Sequence, residues 1–299
     1  MSDSPVFRDA RHALRVGTGL ALISAALYGA NVPAARVASQ AGMPGADLIA
    51  WRAAWFLPVL VVLAFIVRER LRLLPAEVGP TLRLSISASL TAIFYLSSVD
   101  HLPVPMAVVL FYMFPLFVIV LASRIEGRRI SRVQMGVFVV AFAGLVTAVG
   151  PSLAGLSLKG MLFALGAAFA CAYLFITASH VPNAPLRNAF WTQAFMGPLA
   201  FLFAWLQGGP VDPSVAVGIA PFAVALAMGA YALAYWLQLV AAQKISADRA
   251  GLLFLFEPVV AIAMAGLFLG EVLTTVQALG VALILVALAA EIRMGSKDP

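Results

Sequence analysis

Six tyrosines are the residues whose type and position could bind a small molecule. All of them fall in long apolar stretches: Tyr28, Tyr95, Tyr112, Tyr173, Tyr231 and Tyr235. A buried tyrosine hydroxyl needs a hydrogen-bond partner, which a cavity holding water or a solute can supply. Tyr231, Tyr235 and Gln238 recur at helical spacing, so they share one helix face. We predict a shared cavity, with packing or an interfacial position as the alternative for each ring.

Other polar and aromatic residues at depth in apolar stretches extend this predicted cavity: Asn31, Phe111, Trp191, Gln193 and Gln238. Two of them have structural alternatives. Asn31 could cap a helix segment opened by Pro33, and Trp191 could simply pack against its neighbours.

Two charged residues also lie at depth. In "FLFEPVVAIAMAGLFLGE", Glu257 precedes Pro258, and such a carboxylate could carry a proton, bind an ammonium group, or accept hydrogen bonds from donors that the proline loosens. Arg52 could reach outward to Asp47 or bind a carboxylate. Several cations would be needed to replace phosphate hydration, so one arginine favours a neutral amphipathic solute over a phosphorylated one.

Composition identifies lipid as the main solvent of this chain. Hydrophobic residues make up 63% and charged residues 11%, about half the charge of a soluble domain. Cys171 and the three histidines give no disulfide, metal site or nucleophile-base pair, so we expect no cofactor, no metal and no enzymatic activity. No phosphate-binding loop for ATP is present. The basic residues behind the net charge of +6 lie mainly in the tails and in the connections between spans. We therefore expect the lipid bilayer as a partner and no nucleic acid.

The apolar stretches predict an all-α integral membrane protein with ten transmembrane helices, each about 20 residues long. The expected spans are 17–36, 47–67, 82–100, 104–123, 132–150, 158–178, 187–207, 215–241, 249–270 and 274–292. The third is rich in serines, which can hydrogen-bond to their own helix backbone. We interpret the first span as a retained helix, since its apolar run continues past any cleavage site of a signal peptide.

Lysine and arginine positions predict the orientation. Sixteen lie in the two tails and alternate connections, whereas Arg36 and Lys159 alone lie in the others. The positive-inside rule then places both termini in the cytoplasm and requires an even number of spans.

An internal repeat divides the spans into two groups of five. At an offset of 143 residues, "VPMAVVLFYMFP" aligns with "ADRAGLLFLFEP", which matches Pro115 with Pro258, and Gln134 matches Gln277. Since five is odd, the second unit must be inserted upside down, the arrangement typical of secondary transporters. Each proline weakens its helix where a gate would bend, so Pro115 and Pro258 are predicted hinges.

The chain resembles the EamA-type members of the drug/metabolite transporter superfamily over nearly its whole length. The second half carries Pro258, Glu271 and Gly280 in "EPVVAIAMAGLFLGEVLTTVQALG"; the first carries Pro115, Glu126 and Gly136 at shorter spacing, a departure from the family pattern. Within the superfamily it is most similar to YddG-type exporters, which move aromatic and other amino acids out of bacterial cells.

This resemblance implies a multi-pass exporter of the bacterial inner membrane, able to work as a monomer, that releases neutral and aromatic amino acids or similar metabolites by alternating access. Export of drugs or other metabolites, with or without proton coupling, is the alternative. The expected units are a tail at 1–16, repeats at 17–150 and 151–292, and a tail at 293–299.

Overall fold

The computed structural model describes residues 5–125, 127, 129–150, 156–182, 184–206 and 208–295. Within these residues the secondary structure is helical and contains no strand. Ten helical spans are long and apolar enough to cross a membrane, which confirms the predicted all-α membrane class. Glu126 of the family pattern lies outside the described residues, as do Arg128 and Lys297 of the orientation argument and the predicted boundary at residue 151.

Thirteen helices form within the described residues, and several spans consist of more than one of them. They are α1 (Pro5–Gln40), α2 (Gly45–Ile66), α3 (Pro75–Val99), α4 (Val104–Phe111), α5 (Phe114–Ile125), α6 (Arg132–Val149), α7 (Leu158–His180), α8 (Pro185–Leu206), α9 (Pro213–Ile219), α10 (Pro221–Ala242), α11 (Ala247–Leu253), α12 (Phe256–Leu269) and α13 (Thr275–Gly295). The fourth span combines α4 with α5, and the ninth combines α11 with α12.

The boundaries of the third and eighth spans differ from the prediction for reasons of proline geometry. The predicted span at 215–241 is divided at Ala220, where α9 ends and α10 begins with Pro221. A residue before proline is disfavoured in the α conformation, and Ala220 adopts a non-helical φ of −138° and ψ of 60°, so α9 ends there. The third span begins at Pro75 rather than at residue 82, because proline is well suited to the first helical position.

The serine-rich third span satisfies its polar groups as predicted. The Ser85 hydroxyl donates to the Thr81 carbonyl at 2.9 Å, and the Ser89 hydroxyl donates to the Ser85 carbonyl at the same distance. Because these hydroxyls bond to their own helix, α3 can pack among apolar neighbours without a buried polar cost.

Helix packing follows the predicted repeat. The principal pairs are α1 with α10, α3 with α7, α2 with α8 and α6 with α13. If each of the ten spans is replaced by the span five places away in the chain order, the α1–α10 pair becomes the α7–α3 pair. The same replacement converts the α2–α8 pair and the α6–α13 pair into themselves. The two five-span units are therefore related by an approximate two-fold rotation, and the odd number of spans gives them opposite orientation.

Two glycines permit the closest helix crossings. A Cβ atom at Gly280 would lie 2.5 Å from the Gly144 carbonyl oxygen, where α13 crosses α6. At the centre of the bundle, Gly29 on α1 lies against the backbone carbonyl of Glu257 on α12. Small residues at such crossings let helix backbones approach in a membrane, where packing replaces the hydrophobic effect.

Candidate functional site

Two broken helices meet at the centre of the bundle. The fourth span is interrupted between Phe111 and Phe114, and the ninth between Leu253 and Phe256. Pro115 and Pro258 stand in the first turn of the following segment, where a proline lacks the N–H that would bond to the previous turn. The structure thus places both predicted hinges at helix interruptions, and these interruptions occupy equivalent positions in the two repeats.

Aromatic rings from both halves form a continuous group around these interruptions, which we call the central ring cluster. Its ring contacts include Tyr95 with Phe111 at 5.0 Å and Tyr28 with Tyr231 at 5.8 Å between centroids. The remaining members are Tyr112, Phe114, Phe175, Tyr235 and Phe254. The structure therefore brings together five of the six tyrosines that were predicted to share a cavity.

Glu257 lies beside the central ring cluster and is half-buried. The Tyr112 hydroxyl is the hydrogen-bonding group that faces its carboxylate, and Tyr28, Tyr95 and Cys171 lie within electrostatic reach. The ion pairs among the described residues do not include Glu257. Without a cationic partner among the described residues, this partly accessible carboxylate can accept a hydrogen bond or pair with a cation at mid-depth, and its place in the first turn of α12 favours negative charge there.

Arg52 holds three helices together below the cluster. Its guanidinium donates to the Asn31 side-chain oxygen at 2.6 Å and to the Ala227 carbonyl at 3.1 Å, and it stacks on the Tyr231 ring at 4.6 Å. The predicted reach toward Asp47 is not what the structure shows, because Asp47 instead accepts from the Val211 amide. Asn31 likewise bonds to Arg52 rather than capping an opened helix, since α1 continues through Pro33.

Gln238 and Gln193 have different surroundings. The Tyr28 hydroxyl donates to the Gln238 side-chain oxygen at 3.0 Å, which ties α1 to α10. Gln193 lies on α8 with none of its surface exposed, and its side-chain amide faces the Tyr231 hydroxyl on α10.

Tyr173 and Trp191 are the two predicted aromatic cavity residues that the structure leaves outside the central ring cluster. Tyr173 has no ring contact with the cluster among the described residues. The Trp191 indole N–H donates to the Leu71 carbonyl at 2.6 Å, in the connection between α2 and α3. That connection lies on the side of the membrane that carries the N-terminus, so Trp191 closes one end of the bundle.

A related contact at the opposite end was not anticipated. The Trp51 indole N–H donates to the Val211 carbonyl at 3.1 Å, in the connection between α8 and α9. We call the Trp51–Val211 and Trp191–Leu71 contacts the two tryptophan latches. Their donors, and likewise their acceptors, are 140 residues apart. A sequence signal existed, because "WRAAWFLP" and "WTQAFMGP" share Trp, Ala and Pro at this offset.

An ionic group reinforces the latch on the N-terminal side. Arg187, in the first turn of α8, donates to the Glu77 carboxylate at 2.8 Å and also pairs with Glu69. Glu77 in turn accepts from the Leu74 amide at 2.6 Å. The connection between α2 and α3 is therefore fixed to α8 by charge as well as by Trp191.

A cleft opens at the side of the bundle between α2 and α10. It has a volume of about 590 Å³, and its lining is apolar except at its deep end, where Arg52 lies. The position related to it by the repeat, between α8 and α3, retains only about 20 Å³. The two halves therefore share a fold but differ in how far these helices separate.

Comparison with known proteins identifies the family. The model of the EamA-like transporter family matches residues 15–150 and again 158–290. The chain belongs to the EamA-like transporter family. Each match covers one five-span unit, so this transporter carries the family's repeat twice.

Relatives and a solved structure agree with this membership. An uncharacterized transporter of Archaeoglobus fulgidus is 28% identical over 209 residues, covering 68% of this chain and 73% of that protein. The threonine/homoserine exporter RhtA of Escherichia coli K12 is 29% identical over 237 residues, 77% of each chain. The RhtA protein of Salmonella typhimurium LT2 matches to the same extent. One crystal structure superposes with a TM-score of 0.75 at 20% identity, covering 93% of this chain and 96% of the other, which shows the shared fold.

These findings establish a coarse function. The protein is a multi-pass membrane transporter, and its family and named relatives are transporters rather than enzymes. The resemblance to the superfamily is confirmed at family level, whereas the narrower likeness to YddG-type aromatic exporters stays a prediction.

Proposed function

We propose that this transporter exports neutral amino acids, aromatic ones included, across the bacterial inner membrane by alternating access. Both termini lie in the cytoplasm in this proposal, and one chain is the transporting unit. The single observation that carries it is Glu257, a half-buried carboxylate that has no cationic partner in the part of the chain the structure describes and is set among tyrosine rings at the meeting point of the two broken helices.

The chemistry of this site suits an amino group. An ammonium ion pairs with a carboxylate and is attracted to the faces of aromatic rings, which Tyr28, Tyr95 and Tyr112 supply around Glu257. In a membrane interior such a charge pair is stronger than in water, because fewer water molecules compete for it. We infer that Glu257 receives the ammonium group of the substrate.

Charge and relatives narrow the substrate class. Arg52 is already bonded to Asn31 and Ala227, so the cavity has little free positive charge for a phosphate. The RhtA relatives are named as exporters of threonine and homoserine, which are small neutral amino acids. Aromatic amino acids remain in the proposal because ring contacts dominate the lining.

The test is transport by purified protein in liposomes, with radiolabelled threonine, methionine and phenylalanine and with or without an imposed pH gradient. We expect flux of at least one of these, reduced about tenfold or more by Glu257→Gln, because the neutral amide cannot pair with an ammonium group. Glu271→Gln is the matched control, since Glu271 pairs with Arg36 on an exposed surface away from the cluster.

Each outcome has a distinct meaning. Flux that ignores the pH gradient and falls with Glu257→Gln supports ammonium binding, whereas gradient-driven flux abolished by the same change makes Glu257 the proton carrier. Wild-type flux in Glu257→Gln makes it a structural residue. Absence of flux for all three amino acids contradicts the proposal and favours the export of drugs or other metabolites.

A further inference from the structure

The cleft between α2 and α10 is one form of a contact that the chain builds twice. Its walls include Phe56, Val59, Leu60 and Leu63 on α2 and Gly229, Ala232, Leu233 and Trp236 on α10. The residues 140 positions away line the contact between α8 and α3: Met196, Leu199, Ala200 and Phe203 on α8 and Ser89, Ala92, Ile93 and Leu96 on α3. These positions correspond one to one, so the cleft is the separated form of a contact that exists in both halves.

The two forms of this contact differ in the space beside the glycine of α10. The cleft holds about 590 Å³, whereas the contact between α8 and α3 retains about 20 Å³. A Cβ atom added at Gly229 would meet no other atom within 4 Å. Its counterpart on α3, Ser89, is buried. The cleft therefore offers room beside α10 that is filled by protein beside α3.

The chemistry of the walls determines what can fill the cleft. The helices that form it span the membrane, and its lining is apolar except for Arg52, whose guanidinium is already bonded to Asn31 and Ala227. Water needs two or more polar partners to stay in a cavity, and this lining does not offer them. An empty cleft would forfeit dispersion contacts along both walls. Hydrocarbon from the bilayer avoids both costs.

The dimensions of the cleft fit a lipid chain rather than a helix of another protein. From Arg52 to Leu63 the α2 wall rises about 16 Å, close to the ~15 Å that one leaflet contributes to the hydrocarbon core of a bilayer. Over that length, a volume of about 590 Å³ gives a mean cross-section of about 37 Å². A helix is at least ~10 Å wide and needs roughly twice that cross-section, so it cannot enter.

We propose that an acyl chain of a membrane phospholipid occupies the cleft between α2 and α10 and leaves it when the cleft closes. Helix contacts in lipid are held by packing, so the separation of α2 from α10 loses contacts unless another group replaces them. A chain in the cleft replaces them and brings the open and closed forms closer in energy, so that both can be populated. This site concerns the lipid around the transporter and does not depend on which solute is carried.

The experiment uses liposomes of a phospholipid that carries a photoreactive diazirine on an acyl chain. The full chain, in a Cys171→Ala background, is held with the contact between α8 and α3 closed by a disulfide between Ile93→Cys and Leu199→Cys. After illumination, mass spectrometry should find label at Phe56 in the cleft and none at its counterpart Met196, although both side chains are buried. Absence of label at Phe56 would overturn the proposal.

The corresponding disulfide in the other half tests whether the chain leaves. Val59→Cys and Leu233→Cys occupy the cleft positions equivalent to Leu199 and Ile93. Their disulfide should close the cleft and move the label from Phe56 to Met196. Label that remains at Phe56 in this protein would show that the chain does not leave on closure.

A further variant needs no crosslink. Gly229→Leu places a side chain in the open space of the cleft, so Phe56 should lose most of its label. Gly79→Leu is the matched control, since Gly79 is an exposed glycine of α3 whose added Cβ atom also meets no other atom within 4 Å. Undiminished label in Gly229→Leu, or label from a water-soluble diazirine in place of the lipid, would overturn the site. Loss of the proposed amino-acid flux would leave these labelling results unaffected.

Discussion

At the scale of single residues, the absence of a side chain at Gly29 matters as much as the presence of one at Glu257. Gly29 lies directly against the backbone carbonyl of Glu257, next to Val260 on the same helix. The crossing of α1 over α12 therefore fixes where the carboxylate stands relative to Tyr28. A Cβ atom at Gly19, which is also on α1, would meet no other atom within 4 Å.

Gly29→Ala should destabilise the protein by about 1–3 kcal/mol, because the new methyl group must push α1 away from α12. The control Gly19→Ala, in open space on α1, should leave stability within about 0.5 kcal/mol of wild type or raise it slightly. Thermal unfolding of both variants in the same detergent measures the difference. Equal melting temperatures would mean that the crossing can relax without cost.

At the scale of helices, the interruptions near Pro115 and Pro258 give both halves a segment that can bend. Pro115→Ala or Pro258→Ala restores an N–H that can bond to the previous turn, so each should stiffen its span. We expect transport about tenfold slower or more, with unchanged membrane insertion. Pro58→Ala is the control, since α2 stays continuous through Pro58. Wild-type flux in both hinge variants would contradict the hinge role.

Loss of either tryptophan latch should favour opening of the transporter on the side of the membrane where that latch lies. Trp191→Phe removes a bond at the N-terminal side and Trp51→Phe removes its counterpart, each worth about 1 kcal/mol, or about fivefold in population. We expect Trp191→Phe to favour opening toward the N-terminal side and Trp51→Phe to favour the other.

Labelling from either face measures this shift. A single cysteine at Tyr95 in a Cys171→Ala background would report access of an impermeant maleimide to the central ring cluster. Trp205→Phe is the control, because its ring is 66% exposed. Identical labelling changes in both latch variants would show that the contacts do not govern opposite sides.

At the scale of the whole molecule, the repeat fixes the topology. Ten spans require both termini on one side, and the distribution of arginine predicts that side to be the cytoplasm. Reporter fusions after Met294 and after Val149 test this: the first should be active only with a cytoplasmic reporter and the second only with an external one. Activity of the same reporter at both sites would refute the ten-span arrangement.

The unequal clefts predict a second conformation. The repeat relates the open cleft between α2 and α10 to the closed contact between α8 and α3. In the second conformation the contact between α8 and α3 would open and the cleft between α2 and α10 would close. A covalent link between α3 and α8 should therefore arrest transport. Ile93 and Leu199 line the closed contact, so a disulfide between cysteines at these two positions should abolish flux. Reduction of the disulfide should restore the flux. Unaffected flux in the crosslinked protein would show that this contact stays closed throughout transport.

The sequence by itself determined the membrane class, the number of spans and the inverted repeat. These properties depend on local hydrophobicity and on the need to satisfy every backbone hydrogen bond within a helix in lipid. Pro115 and Pro258 were predicted as hinges for a similarly local reason, and the structure places both at helix interruptions. A missing proline N–H weakens each span locally, but α1 and α2 stay continuous through Pro33 and Pro58, so the packing of the whole bundle decides which prolines stand at a break.

Only the tertiary structure decided which polar groups meet. Arg52 bonds to Asn31 and Ala227 rather than reaching toward Asp47, and Trp191 closes an end of the bundle instead of lining its centre. The pairing of Tyr231 with Gln193 and of Tyr235 with Thr192 likewise depends on how α8 turns against α10. Membrane helices are uniformly apolar around their circumference, so periodicity does not reveal which face meets which neighbour, and packing of distant helices makes that choice.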